Sequence, residues 1–215
     1  MRPLASRGMT RDGSAPTRGR LVAFEGGEGA GKSTQAARLA GAVGAKLTRE
    51  PGGSKLGEQV RALLLDSPPG SVDDRAELML MLAARAQHVS EVILPCLESG
   101  TDVIVDRYSG STLAYQGYGR GLPLGEIKEA CDLATGGVWP DLTILLDVPL
   151  DIGHARREGL ERDRIEGAGE GFHRRVREGF LALATEDPKG WIVVDGTGPP
   201  DDVARAVRQA FEGLR

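Results

Sequence analysis

The sequence contains no asparagine, two cysteines (Cys96 and Cys131), three histidines and no long apolar run. Each shortage excludes something. Without asparagine there is no Asn-Lys-x-Asp signature with which a GTPase reads guanine. Two cysteines cannot staple a chain of 215 residues, and with no signal-peptide pattern they read as free thiols in a reducing cytoplasm. His88, His154 and His173 lack ligand spacing, which leaves a metal hydrolase without a centre. The longest clean apolar run, Leu78–Ala84, is far short of the roughly 18 residues that would cross a bilayer. A basic excess is missing too: 27 Lys and Arg face 31 Asp and Glu, with a pI of about 5.5. That balance argues against a dedicated nucleic-acid partner.

What is present suits an ordinary folded domain. Hydrophobic residues make up 40% of the chain, enough for a sizeable core, and the 31 glycines sit between apolar runs. The first 19 residues stand apart. Met1–Gly19 carries Arg2, Arg7, Arg11 and Arg18 against one acid, Asp12, with no apolar periodicity. It is expected to be a disordered tail. An organelle transit peptide, or an upstream start with Met9 as another initiation site, are the other readings of this leader.

From Arg20 onward short apolar runs alternate with helical spacing. Leu21–Phe24, Ala45–Thr48, Val103–Val105, Leu142–Leu146 and Trp191–Val194 read as strands buried on both faces. Thr34–Val43, Gly57–Leu65, Asp73–Leu97, Leu124–Leu133, Phe172–Ala184 and Pro200–Leu214 read as helices. This alternation predicts one α/β domain over residues 20–215, a parallel sheet of about five strands with helices on both faces. Asp73 and Asp74 suit the start of the longest helix. Its stretch Leu78–Ala84 is apolar all round, predicting burial on more than one side, in the core or against a partner chain.

The sharpest signal is Gly26-Gly27-Glu28-Gly29-Ala30-Gly31-Lys32-Ser33, followed by Thr34. It satisfies the G-x-x-x-x-G-K-[ST] pattern of a P-loop NTPase, between a strand and a helix as that motif requires. Glycines let backbone N–H groups turn inward on phosphate oxygens, Lys32 sets a charge on the β- and γ-phosphates, and Ser33 offers a hydroxyl to Mg²⁺. The new helix adds its N-terminal dipole. These residues predict a site for a nucleoside triphosphate. A motor or helicase is usually larger, which leaves a small kinase.

Two more segments lie at carboxyl ends of strands, where open α/β sheets bind ligands. They are Thr48-Arg49-Glu50-Pro51-Gly52-Gly53 and Asp106-Arg107-Tyr108, running on to Ala114-Tyr115-Gln116-Gly117. An arginine fork suits a phosphate, and Asp106 at a strand end suits an acid behind the metal. Together with the P-loop and Asp163-Arg164-Ile165-Glu166, these segments resemble the thymidylate kinase family from about Arg20 to the C-terminus.

The resemblance implies transfer of the γ-phosphoryl group of MgATP to dTMP, with ATP and Mg²⁺ as cofactors. It implies that Arg107 holds the acceptor phosphate, that Arg49 borders the substrate pocket, and that Glu28 lies near the deoxyribose 3′-hydroxyl. Arg85 is expected to reach thymine, Thr112 and Gln116 to read the base edge, and Tyr115 to crowd the 2′ position. Met81 stands where the family usually places a phenylalanine against the thymine ring; core packing is the plainer role for Met81 and Met79.

The stretch Arg156-Arg157-Glu158-Gly159-Leu160-Glu161-Arg162-Asp163-Arg164 reads by itself as a solvated face, and in this family as the lid, about 154–167. Gly27–Ala30 contains no arginine, so the lid would supply the catalytic one, with Arg156, Arg157, Arg162 and Arg164 as candidates beside Lys32 and Arg107. Asp195-Gly196-Thr197 follows the last strand, where the family places a loop against adenine. A cytoplasmic homodimer built through the long helix is the implied assembly. A kinase of another nucleoside monophosphate and a nucleotide-binding module without catalysis are the rival functions.

Overall fold

The computed structural model of the chain describes residues 18–159 and 163–214. Its centre is a parallel sheet of β1 (Leu21–Glu25), β2 (Lys46–Arg49), β3 (Val103–Asp106), β4 (Leu142–Asp147) and β5 (Trp191–Asp195) in the order β2-β3-β1-β4-β5. The register sets Leu21 opposite Val103 on one side, and Val22 opposite Leu142 on the other. β1 is thus the central strand, and the chain leaves it for opposite halves of the sheet. That reversal opens a crevice at the carboxyl ends of β1 and β3.

Alternation along the strands supplies two cores. Val22, Phe24, Ile104, Ile144 and Leu146 face α1 (Lys32–Val43) and α9 (Pro200–Glu212), packing on Leu39, Val207 and Phe211. Leu21, Ala23, Val103 and Val105 face the opposite way, onto Val89, Ile93 and Leu97 of the long helix. That helix runs as α3 (Asp74–His88), a π-helical turn at Val89–Ile93, and α4 (Leu94–Glu98). Leu94 N–H reaches back five residues to Val89 O, just ahead of Pro95, which has no N–H to give. The remaining helices are α2 (Lys55–Asp66), α5 (Ser109–Thr112), α6 (Leu124–Thr135), α7 (Leu150–Ala155) and α8 (Glu170–Glu186). No helix among the described residues is long and apolar enough to cross a membrane.

The fold departs from the sequence expectation at several points. β2 and β5 are edge strands, with Leu47, Ile192 and Val193 exposed. A short apolar run shows that a strand packs on something, but not whether both faces are covered. Met79 is 61% exposed, so the all-round apolar stretch of α3 is not enclosed within this chain. Gly19, assigned to the tail, belongs to the fold: its N–H donates to Leu97 O at 2.8 Å. Arg18, also assigned to the tail, meets Asp141 at 3.5 Å, and residues 1–17 lie outside the described residues.

Helix α5 with its π-helical continuation Leu113–Gly119 is absent from the sequence reading, because Ser109-Gly110-Ser111-Thr112 are weak helix formers. The fold supplies what propensity does not. Glu25, fully buried at the tip of β1, accepts from Tyr108 N–H and Ser111 N–H, each at 2.9 Å. A carboxylate therefore sits where the helix begins and completes donors that would otherwise be orphaned.

Ile144 is wholly buried in the first of the two cores. Ile144→Ala should lower the unfolding free energy by about 2–5 kcal/mol, read as a shift in urea midpoint at constant slope. A loss below about 1 kcal/mol would show that the sheet is not packed there as described.

Candidate functional site

The loop between β1 and α1 is built for close approach. Gly29 has φ 70°, and a Cβ there would overlap the carbonyl of Gly153 in α7. Gly31 at φ 91° caps α1, whose first residue is Lys32. Gly26 and Gly27 lead into the turn, Ala30 is buried beneath it, and Thr34 is exposed in the first turn of α1. The Lys32 ammonium lies within the cradle and donates to Gly27 O at 2.7 Å. Burial, and then the neighbouring Arg107, push its pKa down to about 8 against the opposing pull of Glu28, Asp106 and Glu25.

Ser33 Oγ donates to Asp106 Oδ2 at 2.5 Å, joining the P-loop helix to the end of β3. The other oxygen, Asp106 Oδ1, is buried without any hydrogen-bond partner. A hydroxyl and a half-satisfied carboxylate side by side suit a hard cation with oxygen ligands, taken directly or through water. No group of three or more His, Cys, Asp or Glu that could cage a metal by themselves occurs among the described residues. A cation that arrives on phosphates fits this donor set.

Arg107 is the one non-glycine among the described residues with left-handed backbone, at φ 68°. Its N–H donates to Phe24 O at 2.9 Å, and its guanidinium reaches Gly26 O, Ser111 Oγ and Glu28 Oε1, the last at 2.5 Å. Tyr115 OH also donates to Glu28 Oε1, at 2.7 Å, and the Arg107 guanidinium stands 5.0 Å over the Tyr115 ring. For Glu28, burial opposes ionisation, but Arg107 and then Lys32, with the Tyr115 hydroxyl and Arg157, outweigh it and hold the pKa down to about 2. Glu28, Lys32 and Arg107 thus form one cluster of opposite charges at the mouth of the P-loop.

The same cavity is bordered by a second, drier charge system. Arg85 on α3 is 2% exposed. Its Nε donates to Glu50 Oε2 at 2.7 Å and its Nη1 to Thr112 Oγ1 at 2.9 Å. Behind it, Glu50 Oε1 meets His88 Nδ1 at 2.9 Å, and His88 Nε2 meets Thr48 Oγ1 at 2.7 Å. Met81, Thr112, Tyr115 and Gln116 also line the cavity. Arg49 also borders the cavity, but its guanidinium is engaged by Glu58 at 2.8 and 3.0 Å. Arg61, without a role in the sequence reading, lines the wall beside it and donates to Pro51 O.

The lid arginines divide. Arg157 borders the cavity and pairs with Glu166 at 2.7 Å. Arg156 spans the outside of the P-loop, donating to Gly29 O and, at 3.0 Å, to Thr197 O in the loop after β5. Arg162 lies outside the described residues. Arg164 corrects the expectation. It is 7% exposed, bonded to Leu64 O at 2.9 Å and to Glu77 Oε2 at 2.5 Å, and does not border the cavity. A guanidinium satisfied by a buried carboxylate and a carbonyl anchors the segment rather than reaching for phosphate.

Glu50, Glu77 and His88 are the residues sequence reasoning passed over. A signal existed for two of them. Glu77, Met81, Arg85 and His88 recur at the spacing that puts side chains on one helical face.

Comparison with known proteins adds an independent line. The sequence model of the family described as "Thymidylate kinase" matches residues 24–207. A thymidylate kinase of Desulfovibrio desulfuricans is 50% identical over 205 residues, covering 89% of this chain and 94% of that protein. One from Thermomicrobium roseum is 50% identical over 194 residues, 87% of this chain and 91% of that one. Among solved structures, the thymidylate kinase of Ehrlichia chaffeensis superimposes with a TM-score of 0.74 at 32% identity, covering 90% of this chain and 99% of that one.

The depressed pKa of Lys32 has a consequence for stability. At pH 7 the ammonium is charged in both states, and charging it costs the folded state more. Stability therefore rises with pH between about 8, the folded value, and 10.5, the ordinary one. Lys32→Met should raise the unfolding free energy at pH 7 by about 1–3 kcal/mol, with the gain shrinking above pH 8 and phosphoryl transfer lost. Urea unfolding at pH 7 and pH 10 measures this. A variant less stable at pH 7 would show that the bond to Gly27 O outweighs the burial of charge.

Proposed function

The chain belongs to the thymidylate kinase family, and on that premise we propose how its own residues divide the transfer of the γ-phosphoryl group from ATP to dTMP. One observation carries the reading: a single cavity is bordered by the P-loop lysine and by two guanidiniums, Arg107 and Arg85, each held by its own glutamate. The acceptor's phosphate belongs at Arg107 and its thymine at Arg85, so the two guanidiniums together select a nucleoside monophosphate.

Lys32 and the backbone N–H groups of Gly26–Ser33, including Glu28 and Ala30, hold the β- and γ-phosphates, with Thr34 beside them. The acceptor phosphate competes with Glu28 for the Arg107 fork. Glu28, released, then turns to the sugar, where Tyr115 leaves no room for a 2′-hydroxyl. Because the acceptor oxygen is already anionic, no general base is needed, and the work is alignment and charge stabilisation. Of the lid arginines, Arg157 faces the gap between the phosphates, with Arg156 on the adenine side near Thr197; Arg162 remains a candidate beside them. Arg49 and Arg61 would close the outer wall.

Ser33 and Asp106 would hold Mg²⁺. When bound, the ion neutralises charge on the β- and γ-oxygens of ATP. At the base, Arg85 can only donate, which matches the O4 acceptor of thymine, and Thr112 and Gln116 complete the edge. The half-buried Met81 thioether, which also lines the cavity, supplies a softer surface than an aromatic ring.

Residues 20–215 would act as one kinase domain, with a lid at about 154–167. We place the enzyme in the cytoplasm, where the free Cys96 and Cys131 are stable as thiols. A homodimer would cover the outward face of α3 at Met79, together with Leu63 on α2 and Leu133 on α6, which are 61%, 53% and 86% exposed. Apolar side chains so exposed on adjoining helices suit a like surface in a second copy.

The test is ADP production from MgATP with dTMP, dUMP, dCMP, AMP and GMP in parallel, on the wild type and Arg107→Met. The wild type should prefer dTMP, and the variant should lose about 100-fold or more in kcat/KM for it, with the KM for ATP little changed. Preference for another monophosphate would overturn the assignment of the base pocket.

A further inference from the structure

Glu77 is a carboxylate with no exposure and no contact with the cavity, yet it touches a residue that borders it. Its Oε1 accepts from Gln116 Nε2 at 2.8 Å and from Arg120 Nε at 3.3 Å. Its Oε2 accepts from Arg120 Nη2 at 3.1 Å and from Arg164 Nη2 at 2.5 Å. Burial works against its charge, but the bonds from Arg120, Gln116 and Arg164 prevail and hold its pKa below the ordinary value. An ionised carboxylate can only accept. Gln116 must therefore give Glu77 its amino group, and its carbonyl is the end left over. Among the described residues nothing donates to Gln116 Oε1.

We propose that Glu77 is a specificity-positioning residue, which by holding the Gln116 amino group turns the Gln116 carbonyl toward the base and so selects a ring N–H over a bare ring nitrogen. The inference rests on the placement of the base among Arg85, Thr112 and Gln116 proposed above. Thymine and uracil carry a hydrogen on N3, which the carbonyl accepts. Cytosine carries a lone pair there, which meets the carbonyl oxygen acceptor to acceptor. A free amide could rotate and pair with either base at little cost. An amide clamped by a buried carboxylate cannot, because rotation would set its oxygen against the carboxylate oxygens and leave an amino group unpaired. Arg120 and Arg164 neutralise the carboxylate from its other sides, which lets a full charge remain buried behind the base reader. Arg164 thereby acquires a role in place of phosphate contact: it ties the lid's last segment to the element that orients the base reader.

The prediction is selective. Glu77→Gln gives the clamp an amino group of its own, so the Gln116 amide can turn over. The ratio of kcat/KM for dTMP over dCMP should fall about tenfold or more, through a lower KM for dCMP. The ratio of dTMP over dUMP should stay unchanged, since the two share this edge, and the KM for ATP should not move. A merely structural role for Glu77 would lower all of these activities together. Gln116→Met and the double variant Glu77→Gln/Gln116→Met complete the cycle. If Gln116→Met leaves the dTMP-to-dCMP ratio intact, the base is not where it is placed. If that variant lowers the ratio and Glu77→Gln does not, or if Glu77→Gln lowers it equally without Gln116, the clamp is refuted. NMR of the wild type serves where a variant fails to fold. The Gln116 side-chain amino protons should exchange slowly and shift little when dTMP is added; a large shift with loss of protection would mean that the amide turns, and would overturn the proposal.

Discussion

The carboxyl edge of this sheet depends on a carboxylate that never meets solvent. Glu25 ends the central strand, and from there it takes the N–H groups of Tyr108 and Ser111 and the hydroxyl of Ser111. Those bonds hold the segment after β3 against the tip of β1, across the very crevice that the sheet topology opens. Burial raises the pKa of Glu25, and Ser111, Arg107 and the two backbone bonds pull against that rise. Arg107, caught between Phe24 O and this anchor, takes a left-handed backbone that costs a residue with a Cβ roughly 1–2 kcal/mol. The cost is borne where the guanidinium must point at the P-loop, and strained backbone is concentrated at such sites in folded proteins generally.

Three arginine–glutamate systems then repeat one physical solution at different depths. Arg107 with Glu28 borders the cavity beside Lys32 and keeps some exposure. Arg85 with Glu50 and His88 is sealed, and neither partner can leave. Glu77 with Arg120 and Arg164 is sealed and stands one residue removed from the cavity. Buried ion pairs of this kind add little net stability compared with apolar packing. What the two sealed systems provide is a fixed polarity: a donor that stays a donor when a ligand arrives, with no reorganisation left to perform.

Much of this was legible in the chain itself. The P-loop, Asp106-Arg107 and the alternation of runs with helices announced a phosphate site on a parallel sheet, because strand, glycine turn and helix are adjacent in sequence. The grouping of Arg85, Thr112 and Gln116 around one cavity was legible only by resemblance, since they come from separate elements. The lid shows the limit most plainly. Arg156, Arg157 and Arg164 look alike in a run of mixed charge, yet one bridges the P-loop to Thr197, one borders the cavity and one is buried on Glu77. Nothing in the run distinguishes Arg156 from Arg164, because the partners that decide them lie 41 and 87 positions away.

By itself the sequence determined the nucleotide cradle, the strands and most helices, and the class of reaction, since each rests on residues within one turn or one strand of each other. Tertiary structure alone decided which carboxylate each arginine meets, which strands became edges, and that Ser109–Thr112 is helical at all. Those outcomes depend on burial and on partners brought together by the sheet, and a charge buried beside its partner has a different chemistry from the same charge in water.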